Sequence, residues 1–212
     1  MYMKKNVIIG IIIVAIIVIA IVAVKSNKNN IDMSREEVLA LVRIVNSKEN
    51  IYFEYTTNGN KTTKKVKGDI EVIESNGTIT WTDYKNKEKY IINTTLKTVQ
   101  KLDDMMASLS TMIRDNSFGV MNYLRNLSME YKCIGEEKIK KSKAIHIELK
   151  DSEDTINIWI EKETGAILKI TKGENIQEFS TQFNVVKAEE VKLPDLSEYE
   201  DPITQIKNML QQ

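Results

Sequence analysis

The sequence predicts an α+β fold, in which helices pack on the concave face of a curved antiparallel sheet, preceded by one transmembrane helix. Two blocks of residues alternate between apolar and polar side chains, which is the period of a half-buried strand. Segments with helical spacing precede the first block and separate it from the second. The connections are short, and this excludes a parallel sheet, whose crossovers need about a dozen residues or more.

The N-terminal segment is expected to be an uncleaved membrane anchor. A run from Val7 to Val24 contains only Val, Ile, Ala and one Gly. As a helix rising about 1.5 Å per residue it would measure about 27 Å, close to the hydrocarbon thickness of a bilayer. A signal peptide has a shorter apolar core, and the only plausible cleavage site, near Ala20, lies inside the run. We therefore expect an anchor over residues 1–25, with secretion after cleavage as the alternative.

A polar linker over residues 26–33 leads to the first helix. Ser34 and Glu37 have the spacing of a capping box, in which each side chain accepts a hydrogen bond from the other residue's backbone. Val38, Val42 and Val45 follow at helical spacing. The pattern predicts a helix from about residue 34 to residue 47.

The first alternating block predicts about four half-buried strands. The pair Asn76-Gly77 within it is a strong hairpin signal, because both residues tolerate the positive φ of a type I′ turn. The apolar positions of this alternation are Ile51, Phe53 and Tyr55; Val66, Gly68, Ile70 and Val72 in one strand; Ile79 and Trp81; and Tyr90 and Ile92.

Two helical pieces should follow, over about residues 102–113 and 118–127, with a break over Asn116 to Gly119 between them. The second alternating block then predicts about five strands and completes a domain over residues 34–199. In a tail over residues 200–212, Asp201 is a candidate N-cap with Pro202 at the first helical position.

A methionine-rich stripe on the predicted helices is the candidate ligand-binding surface. Methionine adapts to irregular apolar ligands, although such a stripe is also ordinary helix core. The candidate cavity-lining residues are Met105, Met106, Leu109, Met112 and Met121.

The sequence shows no catalytic constellation, and we expect no enzyme, no metal site and no cofactor. His146 is the only histidine, and its alternation with Ile145 and Ile147 turns it away from the core. A single histidine makes neither a catalytic triad nor a metal site. Cys133, the only cysteine, is expected to act as a small apolar side chain. Lys and Arg total 30, as do Asp and Glu, so nothing predicts binding to nucleic acid.

Residues 156–169 resemble a hairpin of the LolA-like, or lipoprotein carrier-like, superfamily. The residues that carry the resemblance are Trp159, Thr164, Gly165 and Lys169. The order of elements over about residues 34–196 also resembles that superfamily, whose members include periplasmic lipoprotein carriers and Gram-positive sporulation or germination proteins. The resemblance implies an open half-barrel that can hold an acyl chain, and an extracytoplasmic location.

Two functions follow as expectations from this resemblance. The first is a membrane-anchored interaction module, accessory to an envelope or spore-cortex enzyme during sporulation or germination, with an envelope protein as its partner. The alternative is a carrier-like protein that binds a lipid or a lipoprotein acyl chain. No arginine matches the functional arginine of the carriers: Arg43, Arg114 and Arg125 fall in predicted helices, and no role is carried over to them.

Overall fold

The computed structural model describes residues 31–57, 59–110, 114–152 and 154–204. The expected anchor from Val7 to Val24, the candidate residue Met112 and most of the expected tail helix lie outside the described residues. Among the helices of the described part, none has the length and apolarity needed to span a bilayer.

The described residues form one open antiparallel sheet of eleven strands. The order across the sheet is β6-β5-β4-β3-β2-β1-β11-β10-β9-β8-β7, so two meanders join where the first strand pairs with the last. The strands are β1 Asn50–Thr57, β2 Asn60–Lys67, β3 Ile70–Ser75, β4 Thr78–Asp83, β5 Glu88–Asn93, β6 Thr98–Lys101, β7 Glu130–Ile139, β8 Ser142–Lys150, β9 Thr155–Glu161, β10 Ile167–Lys172 and β11 Asn175–Phe183.

Within the described residues, the named α-helices that accompany the sheet are α1 Arg35–Asn46, α2 Asp104–Ser110 and α3 Val120–Arg125. The predicted capping box is confirmed at α1, where the Ser34 amide donates to Glu37 Oε2 over 2.7 Å. Hydrogen bonds from Ser34 hold the pKa of the exposed Glu37 carboxyl below its usual value. Asp201 caps the start of the tail as predicted, since its Oδ1 accepts from the Ile203 amide over 2.8 Å.

The main core lies between α1, α3 and one face of β8 to β11, which we call the helix face. Because strand side chains alternate between faces, the isoleucines of β8 and β9 enter this core at every second position. The expectation that helices pack on one face of the sheet is confirmed for these two. The buried members of the core are Val38, Leu41, Val42, Val120, Met121, Leu124, Met129, Ile145, Ile147, Leu149, Ile156, Ile158, Ile160, Ile167, Ile170 and Phe179.

The opposite face, here called the outer face, carries a second core over β3 and β4. Val72 and Trp81 are buried there against Val186 and Val191, which follow the last strand. The Trp81 indole Nε1 donates to the carbonyl oxygen of Val191 over 2.9 Å. The segment that follows β11 therefore covers part of the outer face.

The first strand block differs from the prediction, because it has six strands rather than about four. The predicted continuous strand through Val66, Gly68, Ile70 and Val72 is wrong. Gly68 adopts a φ of 57° and the chain reverses there, so β2 ends at Lys67 and β3 begins at Ile70. The Asn76-Gly77 turn and the five strands of the second block are confirmed.

Candidate functional site

A cavity of about 320 Å³ opens on the helix face beside α3, and we call it the α3 cavity. Its walls come from the Phe118 loop, from α3 and from the ends of β1, β9, β10 and β11. The apolar side chains are continuous with the main core, whereas the polar ones lie on the strand ends. The lining residues are Phe118, Tyr123, Ile156 and Ile170 on the apolar side, and Thr57, Lys172, Asn175 and Gln177 on the polar side.

Phe118 separates the α3 cavity from the rest of the helix face. Its ring centroid lies 4.9 Å from that of Phe53 and 4.6 Å from that of Phe179. Its backbone has a φ of 53°, a conformation uncommon for a bulky residue. Asp115 stabilises this loop, since its Oδ2 accepts from the Gly119 amide over 2.7 Å. The ring therefore fills space that would otherwise extend the cavity along the sheet.

A buried ion pair holds the same loop against the sheet. Lys64 Nζ lies 2.8 Å from Glu71 Oε2, and both side chains are less than one-tenth exposed, at 6% and 8%. The geometry is that of an ion pair rather than of a directed hydrogen bond to that oxygen. Lys64 Nζ also donates to the carbonyl oxygen of Asp115 over 2.6 Å. Burial, together with the negative charge of Glu71, raises the pKa of the neighbouring Tyr84 hydroxyl.

The predicted methionine stripe is not brought together by the structure. Met105, Met106 and Leu109 on α2 are exposed by 73%, 53% and 61%, whereas Met121 on α3 is buried in the main core. Met112 lies outside the described residues. None of the described four lines the α3 cavity.

Sequence reasoning missed the residues that do line the cavity. The break before Gly119 was visible, but it gave no reason to place the neighbouring Phe118 ring in the core. Ile156 and Ile170 lie at the open end of the sheet, and their place there depends on strand order. Only a correct order of all eleven strands could have identified this lining.

The hairpin residues that resemble the LolA-like superfamily have structural roles here. Trp159 donates from Nε1 to Glu137 Oε2 over 3.0 Å, and Lys169 Nζ lies 5.0 Å from its ring centroid. Thr164 Oγ1 accepts from the Ala166 amide over 3.2 Å and donates to Glu161. Gly165 adopts a φ of 72° directly beneath α1. These contacts fix the turn and its approach to the helix.

His146 lies on the outer face, as its alternation predicted, and is held by polar partners. Its Nδ1 is 3.0 Å from Glu137 Oε1, and its Nε2 is 3.0 Å from Asn157 Oδ1. Its ring stacks on Trp159 with centroids 4.2 Å apart. Among the described residues, no group of three His, Cys, Asp or Glu could hold a metal ion.

We expect His146→Ala to destabilise the domain by about 1–3 kcal/mol, because Glu137 and Asn157 each lose a partner. Biological function should be retained at a temperature where the variant is folded. Thermal melting beside a complementation assay would measure both effects. Loss of function in a fully folded variant would contradict the expectation that this residue has no chemical role.

Cys133 is a partly buried free thiol on β7. Its Sγ donates to the carbonyl oxygen of Ile31 over 3.1 Å, and the neighbouring Tyr131 hydroxyl donates to that of Met33 over 2.6 Å. Burial raises the pKa of the Tyr131 hydroxyl and keeps it a donor. These two side chains attach the segment that precedes α1 to the edge strand of the sheet.

No protein-family model and no curated protein matches this chain. In overall fold the chain is similar to LprF from Mycobacterium bovis, with a TM-score of 0.40, 8% identity, and 76% of this chain and 97% of that chain covered. It is similar to a LolA superfamily protein from Nitrosomonas europaea, with a TM-score of 0.30, 8% identity, and coverage of 76% and 98%. The Pseudomonas aeruginosa MucA/MucB complex gives a TM-score of 0.40 and 11% identity over 75% of this chain and 62% of that chain.

Proposed function

We propose that this protein binds the acyl chain of a lipid or lipoprotein in the α3 cavity. The observation that carries the proposal is the continuity of the cavity wall with the main core: Phe118, Ile156 and Ile170 belong to both. An acyl chain placed there replaces water against an existing apolar surface and gains about 0.8 kcal/mol per buried CH₂. The volume of about 320 Å³ is at the lower end for ligand pockets.

The polar side of the cavity indicates how such a ligand would lie. Lys172 is neutralised by Asp154, whose Oδ2 lies 2.7 Å from Lys172 Nζ. The amide side chains of Asn175 and Gln177 remain beside it as uncharged donors and acceptors. An ester or amide headgroup is therefore accommodated at the rim, with its alkyl chain directed towards Phe118.

Native mass spectrometry of the full chain purified from membranes tests this proposal. We expect one bound acyl lipid per chain, and its loss in Ile170→Trp, because the larger ring fills the cavity. Leu127→Trp is the matched control, since Leu127 is 82% exposed and lies outside the lining. Equal lipid occupancy in the wild-type protein and Ile170→Trp, with both folded, would contradict the proposal.

We propose that the apolar run from Val7 to Val24 anchors the protein in the cell membrane with its domain outside the cytoplasm. The length of the run and the resemblance to extracytoplasmic proteins support this topology. Protease added to intact protoplasts is expected to digest the domain. A domain that resists the protease, or a mature N-terminus near Ile21, would contradict this topology.

A second candidate function is an interaction module, accessory to an envelope or spore-cortex enzyme in sporulation or germination. The observation that favours it is the filling of the helix face by the protein's own α1, α3 and Phe118. A face filled in this way leaves sheet edges and surface loops as the places for a partner to bind. The biological setting rests on the resemblance alone.

A further inference from the structure

β11 is paired along most of its length on one side but only along its first four residues on the other. Its pairing with β1 runs from Gln177 to Phe183. Its pairing with β10 covers only Asn175 to Glu178. On the β10 side, the ladder therefore stops before the segment from Phe179 to Phe183. Alternate residues of that segment direct their backbone N–H and C=O groups into the gap.

The gap exists because the start of β10 turns away from β11 and under α1. A Cβ atom at Gly165 would lie 2.0 Å from the carbonyl oxygen of Leu41, so the turn before β10 is in direct contact with the helix. Ile167 follows it into the main core. The register between β9 and β10 shifts between Ile167 and Lys169, and Leu168 lies at this irregularity.

The space left beside β11 is a cavity of about 370 Å³, which we call the β11 slot. Ile139, Leu168 and Phe179 provide an apolar wall, and the tip of the β7–β8 hairpin overhangs the opening. Thr181 Oγ1 is buried at the slot and has no hydrogen-bond partner within the described residues. Ser180 and Gln182 are exposed, so the free edge is open to solvent.

The overhanging hairpin tip is strongly basic. Lys138, Lys140, Lys141 and Lys143 are all exposed. Lys140 Nζ lies 3.5 Å from a carboxylate oxygen of Glu178 across the slot, whereas no ion pair of Lys141 is found in the described part of the chain. These four lysines outnumber the two carboxylates that line the slot, Glu161 and Glu178, so charge complementarity at this opening favours an acidic ligand.

We propose that the β11 slot binds an extended acidic segment of a partner protein by strand addition. The partner's backbone pairs with β11 over residues 179–183, in the position that β10 vacates. An apolar side chain of the partner packs against Ile139 and Leu168, and carboxylates beside it contact Lys140 and Lys141. This inference rests on the interaction-module function and is independent of acyl binding, because the α3 cavity and the slot share no lining residue.

The test uses the full chain in detergent and a phage-displayed library of random peptides of about twelve residues, long enough to span the edge. We expect the selected peptides to share an apolar residue flanked by Asp or Glu, and to slow amide exchange between Phe179 and Phe183. Lys140→Glu with Lys141→Glu should weaken their binding by about tenfold or more. The matched control is the double variant Lys85→Glu with Lys87→Glu at the exposed β4–β5 turn. It should change peptide affinity by less than about threefold.

Other outcomes show whether only the β11 slot proposal fails or whether the interaction-module function fails with it. Peptides that bind but protect amides elsewhere, or that share a basic consensus, would overturn the slot and leave the interaction module standing. Absence of any enriched peptide would overturn both. The protein could instead protect the same amides by self-association, which sedimentation at rising protein concentration would detect. The occupant of the slot would then be a second copy of this chain, and the proposal of an acidic partner would be overturned.

Discussion

Replacing Gly165 by alanine is expected to destabilise the domain by at least about 3 kcal/mol, one of the largest losses for a single methyl group in this protein. The new Cβ would lie 2.0 Å from the carbonyl oxygen and 2.9 Å from the carbonyl carbon of Leu41, so α1 or the hairpin must move. The positive φ of 72° adds backbone strain. Because α1 carries Val38 and Val42 into the main core, its displacement loosens the packing of the sheet.

Gly173→Ala separates these two causes. Gly173 also has a positive φ, of 57°, but nothing lies within 4 Å of the place that a methyl group on its Cα would occupy. We expect a cost of about 1–2 kcal/mol, which is the strain alone. Urea denaturation of both variants measures the difference. Equal losses at the two glycines would show that the contact with α1 does not hold the hairpin.

Replacing Lys64 by methionine is expected to cost about 3–5 kcal/mol, because it leaves the Glu71 carboxylate buried without its cation. The double variant Lys64→Met with Glu71→Leu should recover a large part of this loss, since it buries no unpaired charge. The recovery will be incomplete, because Lys64 also donates to the Asp115 carbonyl oxygen that fixes the Phe118 loop.

The exposed pair of Lys101 and Glu88 is the control for this cycle. Its atoms are as close, at 2.6 Å, but its side chains are 52% and 38% exposed. Solvent screening should make the cost of Lys101→Met much smaller than that of Lys64→Met. If the double variant at Lys64 and Glu71 is less stable than Lys64→Met, the burial of an unpaired charge is not the cause of the loss.

The elements that could be predicted from the sequence are those in which local pattern and tertiary burial agree. α1 has a capping box and a regular apolar stripe, and β8 and β9 alternate strictly because one of their faces enters the main core. β2 was missed because its inward positions include Thr62 and Lys64, whose polarity hides the alternation. Lys64 is buried beside Glu71, which lies diagonally from it on β3, opposite Val66, and the sequence did not show that contact.

The candidate site was harder to predict because it depends on contacts between distant parts of the chain. The methionines of α2 have helical spacing, yet the helix is short and most of that stripe is exposed. The α3 cavity instead combines residues from β1, the Phe118 loop and the last three strands. No periodicity links such positions, because their proximity follows from the pairing of the first strand with the last.

The most direct test of acyl binding locates the ligand inside the protein. In the full chain, deuterated except for its isoleucine methyl groups, nuclear Overhauser effects from a bound protonated lysophospholipid report which side chains the alkyl chain contacts. Our account predicts effects to the methyl groups of Ile156 and Ile170, and their loss in Ile170→Trp. Effects confined to exposed residues such as Ile176 and Ile203, or none at saturating lipid, would contradict it.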